Sequence, residues 1–362
     1  MPLTIFAQES LRINGIDFVL EKEIGAGQFA KTYQAYSQKY PNIKYALKLS
    51  ELAYFNFHAP SKPVISQPHT IRTMFHLAFK TKKNGGLNGD QTNQLLFFPF
   101  IVTETEEVLR NGVRIQYGVQ LMPLALETAF DQIDAIGKNT AISIRTESND
   151  RVHLALKLYS DIMNEIEYLS GKSYVHTDIK PGNIGFSNTQ NKYGLIDYDS
   201  LYSIKIGDES LPKPIRTPVY AAPELDSSQF NELSSLYSLA VSLLKILDPN
   251  FNNSFSQLDA KKYDVRFNQL HINKLKNNLL ISSADFDHKK FIEMFMFIES
   301  SLNPNPEIRL ELLEKITLNT HLQNILQNIQ KRSKQNNQLI ENLKLKLKKS
   351  TLSSSLKCEN LF

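Results

Sequence analysis

A single cysteine, Cys358, stands in 362 residues. It excludes an intramolecular disulfide framework and a cysteine-rich zinc site, and it fits a reducing compartment, so a cytoplasmic setting is expected. Its place, fifth from the end, does not fit a prenylation signal. No apolar run approaches the ~20 residues that span a bilayer. The nearest candidates, 95–102 and 236–247, are short and contain Pro99 and Lys245. Residues 1–12 show no basic segment leading into an apolar core, so no cleaved signal peptide is expected. No unit repeats with a period of about 20–50 residues, which excludes a solenoid. What is there is an ordinary globular balance, 41% hydrophobic and 22% charged, which excludes wholesale disorder. The length suits one two-lobed domain or two ordinary domains.

The net charge of +4 is unevenly placed. From Lys331 onward eight basic residues face two acidic ones, Glu341 and Glu359, so the rest of the chain is slightly acidic. The segment 338–349 is basic and leucine-rich. Leu339, Leu343 and Leu347 share a helical face, while Leu343, Leu345 and Leu347 also alternate as in a strand. Such a segment suits an anionic phospholipid or phosphoinositide membrane, giving peripheral attachment, or else forms a solvated helix on the body. Nucleic acid is not expected, because no aromatic residue is interleaved before Phe362.

Local pattern divides the chain. Strands are expected over 18–24, 31–37, 43–49, 100–108 and 114–122. The stretch 59–69 holds Pro60, Pro63 and Pro68 and is expected to be a loop; 82–93, rich in glycine and asparagine, is another. One buried helix is expected over 70–80. After Pro123 the pattern turns helical. Leu154, Leu158, Ile162, Ile166 and Leu169 recur at helical spacing, with Asp150 as a candidate cap. Further helices are expected over 233–247 and 290–302 and from Glu307 onward. The expected order is a small β-rich lobe over 1–122, a larger helical lobe over 123–318 and a basic tail over 319–362.

Several short motifs carry chemistry. Gly25-Ala26-Gly27 lies between two expected strands, where glycines let a hairpin approach phosphates and offer backbone N–H groups. Alone it is an ordinary hairpin turn. Lys48, flanked by apolar strand residues, points either into a cleft or into water. In His176-Thr177-Asp178-Ile179-Lys180-Pro181-Gly182-Asn183, an Asp and an Asn five apart in a Pro/Gly loop can aim at one point. The carboxylate can orient a hydroxyl nucleophile and the amide oxygen can bind a divalent cation. Asp197 closes an apolar strand fourteen residues later and can complete such a cation site. Each acid alone is also compatible with a turn or a strand end.

Taken in order, these motifs with Thr217-Pro218-Val219-Tyr220-Ala221-Ala222-Pro223-Glu224 and Asn305-Pro306-Glu307-Ile308-Arg309 resemble the eukaryotic-type serine/threonine protein kinases over about residues 17–315. The resemblance implies an α+β, bilobal kinase fold with a hinge over 121–124. It implies that Gly25, Gly27, Ala46, Lys48 and Met122 bind ATP. It makes Asp178 the catalytic base and Lys180 a γ-phosphate contact, has Asn183 and Asp197 bind Mg2+ or Mn2+, and has Glu224 pair with Arg309. The expected substrate is a protein serine or threonine. Kinases of the aminoglycoside or choline type share the His-x-Asp-x-x-x-x-Asn arrangement, but the Ala-Pro-Glu segment argues for a protein substrate. The drift and the Asn/Lys-rich composition resemble kinases that intracellular bacteria deliver into the host cytosol.

The pattern also breaks. Ala30 stands for the third glycine of the loop. Thr177 stands for the arginine that normally precedes the catalytic Asp and reads a phosphate, so switching by loop phosphorylation is not expected. Lys205, Lys213 and Arg216 could instead meet a polyanion such as an inositol polyphosphate, or an acidic substrate. Ser235 stands for an acid that braces the catalytic loop. Asp199 stands for a glycine and is expected to add a carboxylate near the cation. The largest gap is the helix glutamate expected to pair with Lys48: over 52–103 there is no glutamate, and Asp90 is the sole acid. Glu51, Asp90 or another group must substitute, or the chain binds nucleotide as a pseudokinase without turnover.

Overall fold

The computed structural model describes residues 10–26, 30–55, 63–66, 95–108, 114–139, 143–204, 214–226, 230–251, 269–282, 285–316 and 319–358. The helix expected over 70–80, the loop over 82–93, Gly27, Asp90, Lys205 and Lys213 lie outside these residues.

An antiparallel sheet forms the small lobe. Its strands are β1 (Ser10–Ile13), β2 (Ile16–Ala26), β3 (Ala30–Ser37), β4 (Tyr40–Phe55), β5 (Pro63–Ser66), β6 (Ile101–Val108) and β7 (Arg114–Pro123). The path runs β1-β2-β3-β4-β7-β6, with β5 on the far end of β4. The β1–β2 turn is Asn14-Gly15, both with positive φ (50° and 79°), the conformation that a two-residue hairpin of native twist demands. Strand β4 is far longer than the expected 43–49. Its extension pairs with β5, so part of the expected 59–69 loop is strand. Pro63 fits because it opens an edge strand, where a missing N–H costs no ladder bond.

Strand periodicity of two decides which side chains face the small-lobe core and which face away from it. On β4 and β7, Leu47, Leu49, Tyr117, Val119 and Leu121 join Tyr33 and Ala35 in one apolar cluster. The alternate positions, Ala46, Lys48, Gln120 and Met122, therefore share the opposite face. The register pairs Ala46 with Met122 and Lys48 with Gln120.

The large lobe is helical: α1 (Ala129–Lys138), α2 (Ile144–Gly171), α3 (Glu232–Leu247), α4 (Gln269–Ser282), α5 (His288–Ser301), α6 (Pro306–Leu313) and α7 (Thr320–Cys358). Three small antiparallel pairings lie against it, made by β8 (Glu127–Thr128), β9 (Tyr174–His176), β10 (Ile184–Ser187), β11 (Lys192–Leu195) and β12 (Leu201–Ser203). Helix α2 starts earlier than its apolar stripe, because Ser143 accepts from the Thr146 N–H and caps it; Asp150 is interior, not the cap. Helix α3 is apolar on nearly all sides and sits at the centre of the core, which suits its position between the other helices.

The C-terminal helix is not a detached tail at its start. Leu322, Ile325 and Leu326 belong to the large-lobe core. Asn324 donates to Glu167 (2.7 Å), and Arg332 pairs with Glu232 and donates to the Ser170 carbonyl (3.1 Å). The side chains of the lysine- and leucine-rich end, Leu343 onward, lie outside the described residues. No described helix is long and apolar enough to cross a membrane.

Candidate active site

The centre of the site is a loop folded on itself. After β9, a short 3-10 turn (Pro181–Asn183) leads into β10, and Pro181 at its first position supplies a fixed φ where no N–H is needed. Asn183 turns its amide nitrogen inward, donating to the Asp178 carbonyl (2.9 Å) and to Asp178 Oδ2 (3.0 Å). Its amide oxygen is then the atom offered to a cation. Lys180 Nζ also reaches Asp178 Oδ2 (2.7 Å), and the Thr217 N–H donates to Asp178 Oδ1 (2.7 Å). Lys180 bridges on to Thr217 Oγ1 (2.7 Å). Both oxygens of one buried carboxylate are thus aimed by three donors.

Asp197 is brought beside this loop by a hairpin. Ile184 pairs with Leu195 across β10 and β11, and the Ile196 N–H donates to the Asn183 carbonyl (2.9 Å). The next residue, Asp197, has a left-handed backbone (φ 62°, ψ 56°), a conformation Asp tolerates better than most residues and one that recurs at functional sites. It re-aims the carboxylate at the small lobe, where it meets Lys48. Burial pushes the Asp197 carboxyl up, but the Lys48, His176 and Lys180 charges outweigh this and hold it below the usual range. Burial likewise opposes the Lys48 charge, and the Asp197 and Asp199 carboxylates more than offset it, so the ammonium is held above its usual range.

The loop is braced without the expected charges. Ser235 donates to the His176 carbonyl (2.9 Å). Thr177 Oγ1 lies within reach of the Ser200 and Ile215 carbonyls (3.1 and 3.0 Å), sharing one proton between the short turn after Asp197 and the segment before Thr217. Neutral hydroxyls therefore do work that an acid and an arginine were expected to do. Glu224 and Arg309 do form the expected pair (2.7 Å), fully buried. Arg216 is paired with Asp226.

A protein-family model described as "Protein kinase domain" matches residues 135–344, more than half of the chain. The chain belongs to the protein kinase family. The kinase is 25% identical over 295 residues to serine/threonine-protein kinase atg1 of Dictyostelium discoideum, covering 76% of this chain and 37% of that protein. It is 27% identical over 157 residues to eukaryotic translation initiation factor 2-alpha kinase 1 of Plasmodium falciparum, covering 43% of this chain and 9% of that protein. The chain thus spans well under half the length of these relatives. A solved structure of the ROP18 kinase domain in complex with AMP-PNP and sucrose superposes with a TM-score of 0.54 at 15% identity, covering 89% of this chain and 84% of that one. That likeness shows the bilobal kinase fold, including the small lobe that the family model does not reach.

The other expected nucleotide contacts fall as follows in the kinase. Ala46 and Met122 face each other across β4 and β7, on the Lys48 side of the sheet. Gly25 pairs with Thr32, and a Cβ there would meet Thr32 at an ordinary 3.8 Å, so packing alone does not demand glycine. The expected hinge over 121–124 is mostly strand: β7 runs through Pro123, and Leu121 faces the small-lobe cluster.

Two residues escaped the sequence reading. Gln120, only 1% exposed, donates to Asp199 Oδ1 (2.5 Å). Glu165 on α2 accepts from the Leu96 N–H (3.2 Å) and the Leu195 N–H (2.7 Å), joining the segment before β6 to the strand that leads to Asp197. Gly194 allows this approach, because a Cβ there would lie 2.8 Å from Glu165 Oε1 and 2.9 Å from Leu96 Cβ. Glu165 sits three residues after Ile162 and four before Leu169; an acid on a buried stripe was the available signal.

Burial pushes the Glu165 carboxyl up to about 8, against the two backbone donors that favour its charge. Between the ordinary carboxylate value of 4.5 and about 8, the folded chain holds a proton that the unfolded chain lacks. Stability is thus highest below that window and falls as pH rises through it, by up to ~1.4 kcal/mol per pH unit from this group. Glu165→Gln is expected to be less stable outright, since its NH2 opposes a backbone donor, yet to show a flatter pH dependence. Denaturation midpoints from pH 5 to 9 check this; parallel profiles would contradict it.

Tyr198 packs edge-on against Phe98 (5.0 Å), but its buried hydroxyl has no hydrogen-bond partner among the described residues. A buried orphan hydroxyl costs about 1–3 kcal/mol. Tyr198→Phe is therefore expected to raise stability by about 1 kcal/mol, read by chemical denaturation; a loss of stability would show that the hydroxyl is satisfied.

Proposed function

We propose that this chain transfers the γ-phosphate of ATP to serine or threonine hydroxyls of proteins, with Mg2+ or Mn2+. The observation that carries this reading is Asp178, whose two oxygens are fixed by Lys180, Asn183 and the Thr217 backbone. A carboxylate so held can accept the proton of an incoming hydroxyl. Lys180, beside it, supplies positive charge for the transferring phosphoryl group. The donor set fits the nucleotide and its cation: the Asn183 amide oxygen and the Asp197 carboxylate are hard oxygen ligands on adjoining segments, and Asp197 is still 36% exposed. Lys48 offers its ammonium to the phosphates from the facing sheet. A bound cation would neutralise charge developing on the phosphate oxygens. Positioning and charge make up most of what this chain's residues contribute.

The contact of Thr217 with both Asp178 and Lys180 supports a protein substrate, since the same segment continues into the buried Glu224–Arg309 anchor and can seat a peptide. One observation favours a binding-only reading: Lys48 is engaged by two carboxylates, so a nucleotide must compete for it. Transfer from γ-labelled ATP to protein, with each metal, in the wild type and in Lys48→Ala, Asp178→Ala and Asp197→Ala, separates the two. The expected result is labelled protein only in the wild type. A nucleotide-dependent rise in melting temperature without transfer would favour the binding module, and label on small alcohols alone would favour a small-molecule kinase.

A further inference from the structure

Lys48 meets two acids, and they are not equivalent. Asp197 is 36% exposed, open to an incoming cation. Asp199 is 15% exposed and has both oxygens committed: Oδ2 takes Lys48 Nζ at 2.8 Å and Oδ1 takes Gln120 Nε2 at 2.5 Å. Lys48 and Gln120 are direct partners across β4 and β7, so two neighbouring strands grip one carboxylate. That carboxylate belongs to the short turn after Asp197 in the large lobe. A lysine ammonium is a point charge on a flexible four-carbon stem and needs a fixed acid to hold its aim. Gln120 is buried and needs an acceptor, which a residue without a side-chain oxygen at 199 would not give it. Among the described residues, Asp197 and Asp199 are the acids on Lys48, and Asp197 is the one whose chemistry a cation would claim.

We propose that Asp199, seated by Gln120, is the positioning residue that holds Lys48 toward the nucleotide phosphates, in the role expected of a helix glutamate that residues 52–103 do not supply. This rests on the phosphotransfer reading and deepens it. The carboxylate near the cation expected from the sequence is thus turned to the lysine instead. It follows that the aim of Lys48 is set by the turn that carries Asp197, with no swing of a small-lobe helix required to complete the pair.

The test uses the full chain with Asp199→Asn, Asp199→Glu and Lys48→Met, and the Asp199→Asn/Lys48→Met double variant. Binding of a fluorescent ATP analogue with Mg2+ reads the site without turnover. Asp199→Asn is expected to weaken binding about tenfold, the scale of one charge-assisted hydrogen bond. In the Lys48→Met background the same change is expected to have almost no effect. Asp199→Glu is expected to recover part of the loss, and the Mg2+ concentration for half-saturation is expected not to move. Wild-type affinity in Asp199→Asn, an equal loss in the Lys48→Met background, or a raised Mg2+ requirement would each overturn the proposal; the last would make Asp199 a cation ligand. If the wild type binds no nucleotide, the functional reading fails by itself. The proposal is then decided by the same double-mutant cycle on denaturant midpoints of the nucleotide-free chain, where additive effects would overturn it and coupled effects support it.

Discussion

Asp178→Ala is expected to lower phosphate transfer by about 10²–10⁴-fold, the usual contribution of a positioned general base. The carboxylate is the common acceptor of Lys180, the Asn183 amide and the Thr217 N–H. Alanine leaves the Thr217 N–H without an acceptor, while Lys180 keeps Thr217 Oγ1 and the Asn183 amide keeps the Asp178 carbonyl, so part of any loss could come from a loosened loop, at about 1–3 kcal/mol for the orphaned group. Asp178→Asn separates the two effects. Its amide oxygen can still accept from Thr217, but its NH2 faces Lys180 and the Asn183 amide, and its charge and basicity are gone. Both variants are expected to lose transfer, and Asp178→Asn, which keeps the Thr217 bond, is expected to melt no lower than Asp178→Ala. Transfer by Asp178→Asn at the wild-type rate would remove Asp178 from the chemistry.

The largest effect on stability is expected at Arg309. It is fully buried, and its five N–H donors are all used: Glu224 Oε1 and Oε2 (2.7 and 3.3 Å), the Leu233 carbonyl (3.0 Å), and the Asn303 carbonyl from two nitrogens (3.0 and 2.8 Å). Its guanidinium also lies over the Tyr237 ring at 4.9 Å. Removing it strands a buried carboxylate, which costs about 3–5 kcal/mol. Arg309→Leu is expected to unfold at much lower denaturant. Arg309→Lys is expected to recover little, since three donors on a flexible stem cannot match a planar fork. Glu224→Leu with Arg309→Leu together are expected to cost less than the two alone, because no charge is left unpaired. Additive costs would show that the pair is not one unit. The consequence is local: Glu224 closes the segment that presents Thr217 to Asp178, so a weakened anchor is expected to loosen that contact.

Much of this site was legible because its spacing is set by covalent geometry. Asp178, Lys180 and Asn183 sit in one short loop, and Asp197 ends the strand that pairs with the one following Asn183. Lys48 was legible only as a strand lysine facing a cleft or water; the register of β4 and β7 sets it on the face opposite the core. What was not legible depends on contacts across long stretches of chain. The partnership of Gln120 with Asp199 spans 79 residues and couples two lobes; nothing local in either sequence neighbourhood announces it. Glu165 was hidden because an acid on an apolar stripe is more simply taken as the stripe's edge. The cap of α2 was missed because its first two turns are polar, so the apolar period began late. The length of β4 was missed because proline at 63 suggests a loop, and only the edge position of β5 makes it compatible with a strand. The inward packing of α7 followed from Leu322, Ile325 and Leu326, which precede the basic run that marked the segment as a tail.

In the proposed function, Asp197 and Asn183 together hold a cation-bound triphosphate beside Asp178. Electron paramagnetic resonance of Mn2+ with a non-hydrolysable ATP analogue tests it most directly. The wild type is expected to show bound Mn2+ that requires the nucleotide, with binding lost in Asp197→Ala and strongly weakened in Asn183→Ala. Mn2+ bound equally well by all three proteins, or by none, would contradict the account.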